Sequence, residues 1–161
     1  FGPGEALLTF IRAWDEGQTH VFVVRDDQAT AYTVELGEEE LGSLVAELRS
    51  GMDLGQVERR EDLQFSSLSA YELYERLLAP AAPYLEGVQH LFVVPDGAMQ
   101  RLPLGVLVTE QPEQGADYQD IAWLIKKYAL TTLPTVASLR ALRLFAARTE
   151  ANQPFLSLIH I

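Results

Sequence analysis

An α/β fold is expected for this chain from three observations. Near the amino end lie three runs rich in β-branched and aromatic residues, Ala6 to Arg12, Thr19 to Arg25 and Thr30 to Leu36, separated only by Asp15-Glu16-Gly17 and Asp26-Asp27. Short acidic turns between such runs describe an antiparallel meander. Further on, Leu91-Phe92-Val93-Val94 is apolar without polar alternation, which suits a strand covered on both faces, as in a parallel sheet. Between and after these runs lie stretches with apolar residues at helical spacing. The expected architecture is therefore an N-terminal antiparallel β-meander and helices leading into a parallel sheet.

The elements follow in order. Glu38-Glu39-Glu40 opens the first helix, with carboxylates at its positive end. Leu41, Leu44, Val45 and Leu48 recur at i, i+3, i+4 and i+7 to form its apolar face, and Gly51 ends it. Met52 to Ser67 has no clear period and many charges, including Glu58-Arg59-Arg60-Glu61-Asp62, and reads as a surface loop. Ser69 and Glu72 stand in the Ser-x-x-Glu relation of a capping box, with Leu73, Leu77 and Leu78 on the buried face of a second helix that stops at Pro80.

A buried strand from Gln89 to Val94 comes next and ends in Pro95-Asp96-Gly97. Proline cannot donate to a ladder, aspartate supplies a side-chain acceptor, and glycine tolerates positive φ, so the strand must stop and the chain must turn. Glu110 to Asp120 is a second polar loop, Tyr128 to Leu133 the next strand, and Pro134-Thr135 the start of a helix from about Val136 to Arg148. Trp14, Trp123 and Tyr128 are expected as core or rim aromatics covering the sheet edges. No internal repeat is visible.

Composition narrows the function. With 161 residues, 48% of them hydrophobic and 22% charged, the chain is long enough for one domain with a sizeable core. Twelve basic residues against 23 acidic ones give a formal charge of −11, which repels nucleic acid and anionic membrane surfaces in the absence of a segregated basic face. The close basic pairs Arg59-Arg60 and Lys126-Lys127 do not make one. No apolar run approaches the roughly 20 residues needed to span a bilayer. Neither nucleic acid nor a membrane is therefore an expected partner, and the expected location is cytoplasmic.

The chain has no cysteine, so disulfides, thiolate metal sites and a cysteine nucleophile are absent from it. No metal or cofactor is expected. His20 and His90 lie 70 residues apart in strand contexts, a spacing that is no metal motif. Ser66, Ser67 and Ser69 lack a Gly-x-Ser-x-Gly elbow, so capping explains them better than nucleophilic chemistry. Gly2-Pro3-Gly4 lacks the spacing and the lysine of a phosphate loop. The chain opens on Phe1 rather than methionine, and Ser157 to Ile161 continues a run that equals one reading frame of a common sequencing adapter. These last residues are expected to be a remnant of that adapter, leaving His160 without function and 1–156 as part of a single domain; a terminal strand is the alternative.

The run Pro95-Asp96-Gly97-Ala98-Met99-Gln100-Arg101-Leu102-Pro103-Leu104 resembles the turn of the CHAT domain, a caspase- and separase-like module often attached to tetratricopeptide repeats. Gly4 to Leu8 with Val21 to Arg25, Tyr71 to Pro80, and Trp123 to Thr135 are similar to further family segments in the same order. The resemblance implies an incomplete caspase-like parallel sheet. It also implies that the parent protein is a cysteine endopeptidase acting on a protein or peptide substrate, with its His-Cys pair further along the chain and tetratricopeptide repeats in the same parent. This chain would then supply scaffold and part of the substrate groove.

On that resemblance, the loop follows the first strand of the parallel sheet and borders the groove. Asp96, Gln100 and Arg101 are the candidate groove residues, Pro95 and Gly97 the structural turn, and Arg101 suits bidentate hydrogen bonds to an acidic or polar substrate group. Histidine is common in the family where this chain has Gln100. Plain turn chemistry is the competing account of Asp96-Gly97, and a non-catalytic protein-interaction module is the competing account of the parent.

Overall fold

The computed structural model describes residues 1–13, 17–53, 65–113 and 115–146. Trp14, the charge run 58–62 and the terminal stretch 157–161 therefore lie outside the described residues. Among the described residues a single mixed sheet of five strands organises the fold: β1 (Glu5–Ala13), β2 (Gln18–Val24), β3 (Ala29–Val34), β4 (His90–Val94) and β5 (Ala129–Thr132), in spatial order β3-β2-β1-β4-β5. The meander is present, with β1 to β2 and β2 to β3 antiparallel. β4 lies parallel to both β1 and β5.

One expectation is corrected here. The first strand of the parallel set is β1, not the strand before Pro95, because β1 pairs with β4 through Glu5↔His90 to Thr9↔Val94. The meander and the parallel sheet thus share a strand. β4 is an interior strand, between β1 and β5, and its apolar run is buried at Leu91, Phe92 and Val93, as two-faced cover requires.

Alternate side chains go to opposite faces. One face carries Ala6, Leu8, Phe10, Val21, Val23, Leu91 and Val93 into the main core, under α1 (Glu38–Ser50), α2 (Ser67–Leu77) and a 3₁₀ segment from Ala79 to Leu85. Leu41, Val45 and Leu48 of α1 and Ala70, Leu73, Tyr74 and Leu77 of α2 are the buried residues of these helices, close to the apolar faces that their spacing describes. The other face is smaller. There Leu7 and Phe92 meet Leu133 and Leu139, the last from α4 (Val136–Ala146).

Three local readings change. Ser66, not Ser69, caps α2: its Oγ accepts from the Ser69 backbone N–H at 3.1 Å. Glu72 sits one turn inside the helix and is exposed, so no capping box forms there. α2 ends at Leu77 and the chain tightens into the 3₁₀ segment, which begins with Ala79-Pro80. Gly51 does end α1, but with right-handed φ of −69°, its N–H bonded back to the Arg49 and Glu47 carbonyls. Before β5, Leu124–Lys127 forms one helical turn, α3. Tyr128 is buried in the core, and Trp123 is partly buried against it.

Candidate substrate groove

The carboxyl ends of the parallel strands meet at the turn after β4, and β1 runs past β4 by the four residues from Phe10 to Ala13. This overhang carries Arg12 across the turn. Its Nε donates to Asp96 Oδ2 at 3.0 Å and its backbone N–H to the same oxygen at 3.4 Å, while another guanidinium nitrogen pairs with Glu38 of α1 at 2.8 Å. Asp96 Oδ1 accepts from the Gly97 backbone N–H at 2.8 Å. Asp96 therefore ties β1 to the turn and caps the 3₁₀ helix Gly97–Arg101.

Gly97 has φ of +52°, the conformation its position in the sequence calls for. A second constraint is spatial: a Cβ at this residue would stand 2.6 Å from Arg12 Nε, so the guanidinium occupies the space a side chain needs. Pro95 is buried, and Ala98, Met99, Leu102 and Leu104 pin the segment into the core. Gln100 and Arg101 are exposed between these anchors. Gln100 Nε2 reaches the Pro95 carbonyl at 3.4 Å, and the Arg101 carbonyl accepts from the Arg49 guanidinium at the end of α1. The Arg101 side chain makes no ion pair or hydrogen bond with the described residues.

Electrostatics follow from this geometry. Partial burial alone raises the Asp96 pKa, but hydrogen bonds from Arg12 side chain and backbone, its positive charge and the Gly97 N–H outweigh burial and hold the carboxyl below its ordinary value. Asp96 and Glu38 in turn raise Arg12.

Two cavities open beside the turn. One, of about 320 Å³, is lined by Arg49, Gln100, Arg101 and Thr132 together with Pro95, Met99 and the Leu102–Leu104 stretch. The other, of about 660 Å³, is apolar, with Phe65, Trp123, Ile125 and Leu130 in its lining. Pro103, Leu104 and Thr132 line both, so they form one groove with a cationic end and an apolar end. Asp96 is not in the lining of either. Of the candidate groove residues, the structure thus brings Gln100 and Arg101 together at the groove and places Asp96 behind the turn, engaged by Arg12.

The remaining polar candidates have local partners. His20 Nδ1 lies 2.9 Å from Thr33 Oγ1 across the β2–β3 pair. His90 Nε2 lies 2.8 Å from Thr131 Oγ1, with its ring stacked on Phe92. Ser66 and Ser69 serve the start of α2, and Ser69 Oγ donates to Glu47 Oε1 at 2.7 Å. Among the described residues no three His, Asp or Glu side chains gather as a metal site requires, and no helix is long and apolar enough to cross a membrane.

Sequence reasoning missed Arg12, Arg49 and Thr132. Arg12 carried only its place at the end of an apolar strand run, which does not point to a carboxylate 84 positions away. Arg49 and Thr132 carried no signal, because only the folded chain places the end of α1 and the end of β5 beside the turn.

The family profile of the CHAT domain matches residues 67–158, more than half of the chain and inclusive of β4, the turn and β5. The chain belongs to the CHAT domain family. No curated protein matches it. In this CHAT domain the groove is built by β4, the 3₁₀ turn, the end of α1, β5 and the loop that closes through the Val108↔Trp123 bridge.

Proposed function

We propose that this chain is the scaffold and part of the substrate groove of a caspase-like cysteine endopeptidase, in a parent protein that also carries tetratricopeptide repeats. The observation that supports this reading most directly is the groove at the carboxyl ends of parallel strands, where α/β sheets hold their ligands, in a chain of the CHAT family. The sequence has no cysteine, so the catalytic pair is assigned to parent residues outside it. There a histidine takes the thiol proton, and the thiolate attacks the peptide carbonyl carbon. The histidine then protonates the departing amine, and water hydrolyses the acyl-enzyme. The contribution of this chain is to hold the peptide against the turn while those steps proceed.

The test compares two proteins on one peptide library: the 161-residue chain and the longest parent chain containing it. Turnover by the parent that iodoacetamide abolishes, with none by the short chain, is the expected result. Turnover by the short chain that is lost on replacing Ser66, Ser67 or Ser69 overturns the reading. A parent that binds peptides but never cleaves them is a non-catalytic interaction module instead.

A further inference from the structure

The sheet ends in β3 on the side away from the turn, and the hydrogen-bond register decides what that edge offers. The Arg25 N–H donates to the Gln28 carbonyl at 2.8 Å and closes the Asp26-Asp27 turn between β2 and β3. Bonded and non-bonded positions alternate along an antiparallel pair, so Val23↔Thr30, Val21↔Tyr32 and Thr19↔Val34 share the ladder bonds. Ala29, Ala31 and Thr33 therefore turn their N–H and C=O groups away from β2. No strand among the described residues takes them up. Further parallel strands of the parent would extend the sheet beyond β5, at its opposite side.

The β3 edge lacks the devices that keep exposed strands apart. Ala29–Val34 contains no proline and no charge, and its pairing with β2 runs without a bulge. Ala29, Ala31 and Thr33 are exposed and small, so a neighbouring backbone can approach closely, while Tyr32 and Val34 pack against the core. Negative charge lies at both ends of the strand. Asp26 and Asp27 stand exposed in the turn before it, and Glu35, exposed after it, accepts from the neutral Gln18 Nε2 at 2.7 Å. Arg76 is paired with Glu40 at 2.6 Å and Arg25 lies 3.7 Å from Asp27, which leaves Asp26 and Glu35 without a cation among the described residues. A second copy of the chain fits this edge poorly. Antiparallel pairing about Ala31 would set Glu35 opposite Asp27 of the other copy, like charges facing at both ends.

We propose that β3 is a docking edge for an extended segment of a partner protein, a short β-forming run with lysine or arginine at both ends, which adds to the sheet beside β3. Its main chain bonds Ala29, Ala31 and Thr33, and its cations face Asp26, Asp27 and Glu35. Main-chain bonds supply the affinity of such strand addition, and the flanking acids select a basic partner.

Fluorescein-labelled Lys-Ser-Val-Thr-Val-Thr-Val-Ser-Lys is titrated with the 161-residue chain at low ionic strength and followed by anisotropy. The analogue with Glu for both Lys is expected to bind about fivefold or more weakly, the size of effect that two exposed ion pairs give, and the difference should shrink as salt rises. N-methylation at the central valine, or at a threonine beside it, removes a donor from opposite edges of the peptide. One of these two analogues should lose most of its affinity and the other keep it. Ala31→Pro removes the middle donor of the free edge and no ladder bond to β2, and should abolish binding. The double variant Asp27→Lys/Glu35→Lys, at exposed side chains, should reverse the preference in favour of the Glu peptide, and it decides the matter if Ala31→Pro unfolds.

Equal affinity for the Lys and Glu peptides, a preference unmoved by the charge reversal, N-methyl analogues that behave alike, or no binding by any peptide overturns the proposal. Ala129→Lys, on the β5 edge, should leave binding intact, and loss of binding there places the peptide on β5 and overturns it as well. Dimers that Ala31→Pro dissolves, in a chain that binds no peptide, overturn it in favour of a second copy. Cleavage by the parent plays no part in these readouts, so their failure leaves the peptidase reading standing.

Discussion

Asp96 divides its oxygens between the Arg12 guanidinium and the Gly97 amide, and this makes its ionisation a stability term. Its native pKa lies below the ordinary value, so the contribution is complete above the unfolded pKa of about 3.9 and is lost as pH falls through the native one. With 37% of its side chain exposed, solvent and salt screening reduce the effect. Urea unfolding of the wild type and of Asp96→Asn from about pH 6 down to pH 2 should show the wild type more stable at pH 6 and the gap closing toward acid, the range in which such a carboxyl titrates. A gap independent of pH would mean that Asp96 does not hold Arg12 through its charge. Much of this turn was legible locally: Pro95 stops the strand, and Gly97 takes the positive φ that its Asp-Gly context called for. The partner of Asp96 was not legible, because Arg12 lies 84 positions away and only the β1–β4 register carries it there.

The start of α2 shows how a correct element acquires a wrong boundary. Three serines within four residues and a glutamate at 72 offer two caps of equal local merit. The choice falls on Ser66 because the Ser69 hydroxyl is engaged elsewhere. It bonds Ser66 Oγ and Glu47 of α1, a contact between helices that no local pattern shows. Ser66→Ala should therefore cost about 1 kcal/mol, typical of a lost N-cap, whereas Glu72→Ala at an exposed helix position should stay within about 0.5 kcal/mol. Chemical denaturation of the two variants checks this, and the opposite ranking would restore the Ser69 cap. Strands were easier to read than caps. The apolar runs of β1, β2 and β4 bury their side chains whatever their neighbours are, but nothing within β1 says that one edge pairs antiparallel with β2 and the other parallel with β4. Non-local pairing is set by the whole sheet.

Among the described residues, an open sheet edge at β5 and exposed apolar side chains on α4 oppose a large net charge. β5 has an uncovered edge among the described residues, and Val136, Leu142 and Leu144 of α4 are each about half exposed, a combination that favours contact between copies. The formal charge of −11 resists that contact, and salt decides the balance. Repulsion reaches roughly 30 Å at 0.01 M ionic strength but only about 8 Å at 0.15 M, while apolar burial and strand pairing lose little strength over this range. Self-association should therefore rise with salt. Sedimentation velocity at fixed protein concentration is expected to show monomer at the low ionic strength and larger species at the high one. Ala129→Lys, which sets a charge on the β5 edge, and Leu142→Glu, which interrupts the apolar surface of α4, should each shift the high-salt sample back toward monomer. Association that instead weakens as salt rises would show that ion pairs, not the uncovered edge and helix, bring the copies together.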